Sequence, residues 1–225
     1  MSRFFVSWSG GKDCNLACYR AVANGLKIHC LANMITDDGK HSRTHGISSK
    51  ILQMQSEAIG IPLVQRSTTW NSYESEFKNM IRTFKQEGID GGVFGDMDID
   101  EHRQWVERVC REMEITSYLP LWQESQVKVL KDFIDSGFEA IIIATRSDWL
   151  GEEWLGQRID LDFIDRIVEL GKTSDITPCG EAGEYHTLVI DGPLFKKRME
   201  IIETRKVLKD EHWFLEILDL DLRYK

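Results

Sequence analysis

The stretch Phe4-Phe5-Val6-Ser7-Trp8-Ser9-Gly10-Gly11-Lys12-Asp13-Cys14 joins a short apolar run to a glycine turn, and a pattern with helical spacing follows it. A strand that turns through glycines into a helix forms an anion site, because backbone N–H groups can approach the ligand and the helix N-terminus adds unpaired donors. Lys12 adds a positive charge where a phosphate would lie, Ser9 adds a hydroxyl, and Asp13 can orient Lys12 or hold a metal ion. The stretch therefore predicts a phosphate-binding loop after the first strand of an α/β fold.

This loop contains neither the G-x-x-x-x-G-K-[ST] pattern nor the G-x-G-x-x-G dinucleotide pattern. It resembles the pyrophosphate-binding PP-loop of the ATP pyrophosphatases, whose usual form is S-G-G-x-D-S, and Cys14 stands where that form has its second serine. The resemblance implies cleavage of ATP between its α and β phosphates, with Lys12 and Asp13 as catalytic residues. The alternative is an ordinary Gly-Gly turn before a helix.

The composition limits the class of protein. The chain has 225 residues, 42% of them apolar, and a net charge of −9, which allow one large or two small domains with a real core. An acidic chain is not typical of proteins that bind nucleic acids or anionic membranes. The sequence shows no signal peptide and no window of about 18 apolar residues, so we expect a cytoplasmic protein.

Five cysteines stand at positions 14, 18, 30, 110 and 179, and none of them forms a C-x-x-C pair. A zinc ribbon or a disulfide framework is therefore not expected. Cys14, near a predicted helix start, could have a lowered pKa and act in redox chemistry or sulfur transfer. The competing interpretation is a small buried cysteine that packs in the core.

Strands and helices alternate through the first half of the chain. Strands are predicted at 3–8, 27–35, 61–66 and 89–96, and helices at 11–24, 47–60, 73–88 and 101–113. This alternation predicts right-handed crossovers and a parallel sheet covered by helices on both faces. Ligands of such sheets bind outside the carboxyl ends of the strands, so the topology should bring Ser9–Asp13, Asp37–His45 and Gly95-Asp96 together as a nucleotide cleft.

The pattern changes near Tyr118–Trp122, and we place a boundary at about 118–124. A helix over 125–136, a strand over 138–145, a packed tryptophan loop around Gly151, a helix over 160–171 and two strands near 199–208 and 213–222, joined at Asp210-Glu211, should follow. The segment at 176–195 places Glu181, Glu184 and His186 in a glycine-bounded loop before the apolar run 188–190. From spacing alone these residues could transfer protons, bind a metal or recognise a cation, or they could form a polar turn.

The 180–195 segment resembles the G-E-x-G-E-[FY]-x-T…P-L-F signature of the diphthine–ammonia ligase family, a branch of the ATP pyrophosphatases. The resemblance covers the whole chain, including the histidine loop at 41–45, residues 58–63, Gly95-Asp96 and Pro120-Leu121-Trp122. It implies a HUP-type, Rossmann-like α/β nucleotide domain over 1–118 and a smaller α/β substrate domain over 119–225. The implied reaction joins ammonia to the carboxylate of diphthine on elongation factor 2 and converts ATP to AMP and pyrophosphate with the help of Mg²⁺.

The resemblance also implies site residues. Those expected at ATP are Ser7, Ser9, Gly10, Gly11, Lys12, Asp13, Cys14, Asn33, Met34, His45, Gly95 and Asp96. Those expected at the substrate, facing the cleft from the second domain, are Glu181, Gly183, Glu184, Tyr185 and His186. The metal ligands stay open, with Asp13 and Asp96 as candidates beside the phosphates. His41, Arg103 and Arg146 are further possible phosphate or carboxylate contacts, and Asn33 and Met34 could instead be strand-end packing.

Three other functions remain open from the sequence. A related PP-loop enzyme could adenylate or amidate a small-molecule carboxylate, an assignment that a bacterial source would favour. A HUP-type protein could bind ATP without catalysis, although Lys12 and Asp13 argue against this. A transfer-RNA thiolase is disfavoured by the net acidity and by the absence of a C-x-x-C pair. A homo-oligomer is possible, because Trp149, Trp154 and Trp213 could belong to an interface or to the core.

Overall fold

The computed structural model describes residues 2–225, which form two compact units. The first unit ends at Trp122, and the second spans Gln123–Lys225. No helix within the described residues is long and apolar enough to cross a membrane.

The first unit is a parallel sheet with helical crossovers, as the alternating pattern predicts. Within residues 2–122 the order is β1 (Arg3–Ser7), α1 (Lys12–Ala23), β2 (Lys27–Ile35), α2 (Ser49–Ile59), β3 (Leu63–Ser67), α3 (Tyr73–Gln86), β4 (Gly91–Val93), α4 (Asp100–Glu112) and β5 (Thr116–Tyr118). The strand order is β3-β2-β1-β4-β5, and every neighbouring pair is parallel. The order reverses direction between β1 and β4, which is the switch point where ligands of such sheets bind.

Large apolar side chains hold this sheet against its helices. Phe5 of β1 lies under Phe77 and Phe84 of α3 and under Phe94, with ring centroids 5.2–6.1 Å apart. Burying such aromatic rings contributes strongly to stability, and tilted or edge-on pairs add to it. These contacts hold the central strand β1 in place, so the loop that follows it begins at a fixed position.

Two details of this half differ from the sequence-based expectation. The fourth strand covers only Gly91–Val93, not 89–96, and a three-residue strand, β5, pairs with it. A Cβ at Gly91 would overlap the Phe4 ring, so the glycine allows β4 to lie close to β1. The sequence did not predict β5, because three residues are too few for a periodic pattern to be seen.

The second unit is built on an antiparallel sheet. Within residues 123–225 the order is α5 (Gln126–Asp135), β6 (Glu139–Arg146), a short 3-10 helix (Glu152–Trp154), α6 (Leu161–Gly171), β7 (Tyr185–Asp191), β8 (Lys197–Lys209) and β9 (His212–Tyr224). The strand order is β7-β6-β9-β8. Asp210 and Glu211 make the predicted hairpin turn, with φ of 47° and 63°. The strand β7 starts at Tyr185, ahead of the predicted run, so Tyr185 and His186 lie on a strand and not in a loop.

Candidate functional site

The loop between β1 and α1 has the geometry of an anion site. Gly10 has a φ of +84°, a conformation that favours glycine, and Gly11 is the N-cap residue of α1 with extended backbone. No side chain of the described residues caps α1. The first N–H groups of a helix have no intrahelical partner, so the start of α1 presents donors and the positive end of a helix dipole to a ligand.

Lys12 and Asp13 form an ion pair at this helix start. Lys12 is only 4% exposed, and its Nζ lies 3.0 Å from Asp13 Oδ2. Burial raises the pKa of the Asp13 carboxyl, and the neighbouring Lys12 ammonium opposes that shift. The second oxygen, Asp13 Oδ1, is shielded from solvent and has no hydrogen-bond partner in the described residues. Asp13 thus contacts Lys12 through Oδ2, and its Oδ1 is left without a hydrogen bond among the described residues.

Side chains from α1 and α2 hold the carbonyl groups of the loop. Gln55 Nε2 donates to Gly10 O at 3.0 Å, and Trp8 Nε1 donates to Gln55 Oε1 at 2.8 Å. Asn15 Nδ2 donates to Gly11 O at 2.8 Å. The Trp8, Asn15 and Gln55 side chains are buried, so these hydrogen bonds are protected from water. The sequence reasoning did not identify these three residues.

Asn33, expected near the adenine, belongs to the same hydrogen-bond framework. Its Nδ2 donates to Trp8 O at 2.7 Å and to Ser42 Oγ at 3.1 Å, and its Oδ1 accepts from Gln65 Nε2 at 3.2 Å. Both amide hydrogens are thus already used within the protein. Met34, the other residue expected there, is 5% exposed and packs in the apolar core, the alternative that the sequence left open. A contact of either residue with adenine stays a prediction.

Cys14 is buried under the loop, and its thiol bonds within the protein. Cys14 Sγ donates to Gly11 O at 3.2 Å and accepts from Ser9 Oγ at 3.5 Å. Burial raises the pKa of this thiol, so the expected lowering by the helix start is wrong. Burial also raises the pKa of Cys18 to about 12. A thiol that stays protonated is a poor nucleophile, which favours the packing interpretation of Cys14.

The end of β4 meets this loop, as the carboxyl-end rule predicts. A Cβ at Gly95 would lie 2.9 Å from the Asp13 carbonyl carbon and 3.0 Å from Cys14 N, so only a glycine allows this approach to α1. The charge of Asp96 contributes to raising the pKa of Asp13, which places the two carboxylates in one electrostatic site. His102, which the sequence analysis did not name, has its Nδ1 3.5 Å from Asp96 Oδ1.

The histidine loop after β2 is folded back on its own strand. Ser42 pairs with Ile35 through the backbone, and Arg43 is held by Asp37 at 3.1 Å and by the carbonyl of Thr68. Within this loop His41 is exposed, and His45 Nδ1 lies 2.9 Å from Thr44 Oγ1. The Asn33–Ser42 hydrogen bond connects the loop to the framework behind Gly10. A contact of His41 or His45 with phosphate stays a prediction.

In the second unit the two glutamates of the motif differ in exposure. Glu184 is fully buried, its Oε1 accepts the backbone N–H of Thr177, and its Oε2 is shielded without a partner. Glu181 is partly exposed, and its backbone N–H donates to Thr177 Oγ1 at 2.9 Å. Gly183 has a φ of +83° with open space around it. The motif is therefore a tight loop anchored by Glu184, with Glu181 nearer the surface.

Tyr185 and His186 take up positions on β7. The Tyr185 hydroxyl donates to Pro178 O at 2.6 Å, and Tyr185 is 1% exposed. His186 pairs with Ala144 of β6. Tyr185 thus packs inside the unit in this structure, and its contact with a substrate stays a prediction.

Two family models, each describing one protein domain, match this chain. The "Diphthamide synthase N-terminal domain" matches residues 2–117, and the "Diphthamide synthase C-terminal domain" matches residues 125–221. The chain belongs to the diphthamide synthase family. The sequence-based family assignment is therefore confirmed.

Curated relatives of the family carry the name diphthine–ammonia ligase. The Rattus norvegicus protein is 29% identical over 95% of this chain and 88% of its own length, and the Homo sapiens protein is 27% identical over 96% and 91%. The Schizosaccharomyces pombe protein is 29% identical over 88% of this chain, which spans only 36% of that longer protein. This chain is also similar to a solved structure described as a predicted subunit of tRNA methyltransferase from Methanocaldococcus jannaschii. The similarity covers 85% of this chain and 98% of that one, with a TM-score of 0.47 and 13% sequence identity.

The residues at the loop fit a magnesium ion that accompanies ATP. Within residues 2–225 no group of three His, Cys, Asp or Glu residues is arranged to hold a metal by itself. Mg²⁺ at nucleotide sites is bound by one or two carboxylates together with phosphate oxygens and water. The unpartnered Asp13 Oδ1, with Asp96 beside it, offers that donor set.

Proposed function

We propose that this chain is an ATP-dependent ligase that adenylates a substrate carboxylate and then transfers ammonia to it, with AMP and pyrophosphate as products. The carrying observation is the loop at 9–13, where a glycine turn, a buried Lys12 and a half-paired Asp13 meet at an uncapped helix start. Membership of the diphthamide synthase family supports the reaction class. The relatives' name supports diphthine as the acceptor, which we propose is carried on elongation factor 2 in the cytoplasm.

A carboxylate resists attack by ammonia because oxide is a poor leaving group. Adenylation replaces oxide with AMP, and negative charge moves onto pyrophosphate in the transition state. The N–H groups at the start of α1 and the Lys12 ammonium are fixed donors for that charge. Because hydrogen bonds from Gln55 and Asn15 pre-organise the loop, little reorganisation is needed during the reaction.

Mg²⁺ is expected to be held by the ATP phosphates with Asp13 Oδ1, and Asp96 is the second candidate ligand. Bound there, the ion supplies charge neutralisation at the phosphates. The Asp13–Lys12 ion pair then keeps the lysine ammonium aimed at the loop. Asp13 would act on both cations through its two oxygens.

The motif of the second unit is proposed to bind the acceptor. Glu181 is the better candidate for direct contact, because it is partly exposed while Glu184 is fully buried. Gly183, with open space around it, leaves room for a ligand beside Glu181. Glu184 is proposed to act by holding the Thr177 backbone, and Tyr185 and His186 remain proposed neighbours of the acceptor.

One assay tests the reaction class and the acceptor together. The protein is incubated with ATP, Mg²⁺ and ammonium, with and without diphthine-bearing elongation factor 2, and the nucleotide product is identified. We expect AMP only when the factor is present. ADP would contradict the pyrophosphatase chemistry, AMP formed with a small carboxylate alone would favour the small-molecule enzyme, and tight ATP binding without turnover would favour a regulator.

Lys12→Ala tests the loop itself. Removing a single electrostatic stabiliser lowers turnover by roughly a hundredfold or more, and we expect that loss in pyrophosphate release. Lys27→Ala, which changes an exposed lysine at the start of β2, is the matched control and should release pyrophosphate at the wild-type rate. Pyrophosphate release by Lys12→Ala at a near wild-type rate would refute the PP-loop assignment.

A further inference from the structure

The Pro120-Leu121-Trp122 segment has no role in the reaction proposed above, yet contacts with the rest of the first unit hold it in place. It follows β5, and Trp122 N donates to Leu119 O at 3.2 Å. Arg20 of α1 donates to Pro120 O at 2.9 Å, and Leu121 is fully buried. These contacts fix Trp122 relative to α1 and the sheet.

Arg103 of α4 stacks on the Trp122 ring, and the pair has unused donors. The Arg103 guanidinium carbon lies 5.0 Å from the ring centroid, and Arg103 Nε donates to Glu107 Oε1 at 2.6 Å. The two terminal nitrogens of Arg103 have no hydrogen-bond partner in residues 2–225. Trp122 Nε1 is shielded from solvent and has no acceptor within the same residues. The Arg103 side chain is 39% exposed, so water can reach its terminal nitrogens, whereas the Trp122 N–H is shielded and lacks an acceptor in residues 2–225.

A second arginine–tryptophan stack in the protein differs, because its guanidinium already has a carboxylate partner within the protein. The Arg146 guanidinium carbon lies 4.0 Å from the Trp149 ring centroid, and Asp148 accepts from Arg146 Nε at 3.2 Å and from Nη2 at 2.7 Å. This carboxylate satisfies the guanidinium in the bidentate manner that arginine favours. Around Arg103, no carboxylate of residues 2–225 accepts a hydrogen bond from the terminal nitrogens, so these nitrogens can donate to a ligand.

The pair lies at the carboxyl edge of the sheet. Arg103 is in the first turn of α4 and directly follows His102, which contacts Asp96 after β4. Trp122 follows β5, the neighbour of β4. The phosphate-binding loop lies on the other side of β4, after β1. The donors therefore lie at the same edge of the sheet as the phosphate site, which is the edge where a group that reacts with ATP would need to be held.

We propose that Arg103 and Trp122 bind the carboxylate of the acceptor substrate, a proposal that rests on the proposed ligase function. The Arg103 terminal nitrogens and the Trp122 indole N–H donate to the carboxylate oxygens, and the guanidinium charge balances their negative charge. A shielded N–H without an acceptor is unfavourable, so the acceptor-bound state satisfies it. An oxyanion from ATP is the other possible source of the same chemistry, and separate measurements on ATP and acceptor distinguish the two.

The test uses two conservative variants of the full chain. Trp122→Phe removes the indole N–H and keeps a stacked ring, and Arg103→Lys keeps the charge and removes the planar guanidinium. Trp149→Phe is the matched control, because it changes the ring of the stack in which Asp148 already accepts from Arg146. AMP formation is measured against the concentration of diphthine-bearing elongation factor 2, ATP affinity by calorimetry, and the fold by urea unfolding.

We expect the KM for the factor to rise about tenfold in each variant, which corresponds to about 1.4 kcal/mol, with ATP affinity unchanged. The control should keep the wild-type KM. An unchanged KM in both variants overturns the proposal and leaves the ligase function standing. Weakened ATP affinity with an unchanged KM overturns it in favour of an ATP oxyanion.

A wild-type protein that forms no AMP with the factor refutes the proposed function, and a binding measurement then decides on the pair. In ¹⁵N-labelled protein with ATP, the indole N–H resonance that is missing in Trp122→Phe is followed during titration with acetate. A downfield shift that Arg103→Lys abolishes supports a carboxylate site. No shift at millimolar acetate overturns it.

Discussion

Gly10→Ala should destabilise the loop through steric overlap, and this effect can be separated from the backbone strain of a non-glycine residue at positive φ. Gly10 has a φ of +84°, and an added Cβ would lie 2.5 Å from Leu52 Cδ2 and 3.1 Å from Gln55 Oε1. Leu52 is fully buried, so its side chain has little room to move. Gln55 is the residue that holds the Gly10 carbonyl.

The expected size of the effect follows from two contributions. An L-residue in the left-handed region costs roughly 1–2 kcal/mol. Ordinary contact between carbon atoms is about 3.5–4.0 Å, so the Leu52 contact needs about 1 Å of relief, and such overpacking costs about 1–3 kcal/mol. Gly10→Ala should therefore lower the free energy of unfolding by roughly 2–5 kcal/mol. A loop displaced by about 1 Å should also lower turnover by on the order of a hundredfold.

Gly25→Ala is the matched control, because Gly25 has a φ of +81° and no atom within 4 Å of an added Cβ. It should lose only the roughly 1–2 kcal/mol of the backbone term and retain wild-type turnover. Urea unfolding measures the first quantity, and AMP formation measures the second. The reasoning is refuted if Gly10→Ala and Gly25→Ala are equally stable and equally active.

Two further predictions concern side chains outside the glycine turn. Hydrogen bonds from Arg108, and to a lesser extent from Lys78, hold the pKa of Glu74 well below its usual range. The ionised Glu74 side chain therefore stabilises the fold above about pH 4.3, the ordinary glutamate value, and this stabilisation is lost as the pH falls. The difference in Tm between wild type and Glu74→Gln should therefore shrink from pH 7 to pH 3, and a constant difference would contradict the assignment. Cys14→Ser keeps a donor for Gly11 O and an acceptor for Ser9, so kcat/KM should stay within about threefold of wild type and stability within about 1 kcal/mol. A hundredfold loss of kcat/KM in AMP formation would instead show that the thiol takes part in the chemistry.

Much of the first unit could be predicted from the sequence because its signals are local. A glycine turn between an apolar run and a helical pattern located β1, the loop and α1 within one or two residues. The alternation of strands and helices then gave a parallel sheet. Its carboxyl edge correctly brought Gly95 and Asp96 to the Asp13 region.

Two of the missed residues of the site, Trp8 and Gln55, are buried side chains whose hydrogen-bond partners are distant in sequence. Gln55 contacts Gly10 across 45 residues, and Trp8 contacts Gln55 across 47. A signal was present for Gln55, since it lies on the apolar face of α2 between Leu52 and Ile59. A polar residue on a buried face requires a hydrogen-bond partner, but the sequence does not say which group it is.

The motif of the second unit shows another limit. Spacing placed Glu181 and Glu184 in equivalent positions, three residues apart, whereas the structure exposes one and buries the other. The difference arises because β7 starts at Tyr185 and draws Glu184 inward against the Thr177 backbone. Two identical residues in one motif thus have different possible roles, which only the strand boundary reveals.

The hydrogen bonds behind the loop explain how a loop without a Walker sequence turns its backbone N–H donors away from the interior. In a trans peptide the C=O and the following N–H point in opposite directions. Gln55 holds the Gly10 carbonyl and Asn15 holds the Gly11 carbonyl, both toward the interior. The N–H groups of Gly11 and Lys12 are therefore turned away from the interior. Among residues 2–225, the Gly11 N–H makes a long contact of 3.4 Å with Ser9 Oγ, which it could exchange for a contact with an anion. The donors that an anion would meet are thus set by amide side chains behind the loop as much as by the glycines within it.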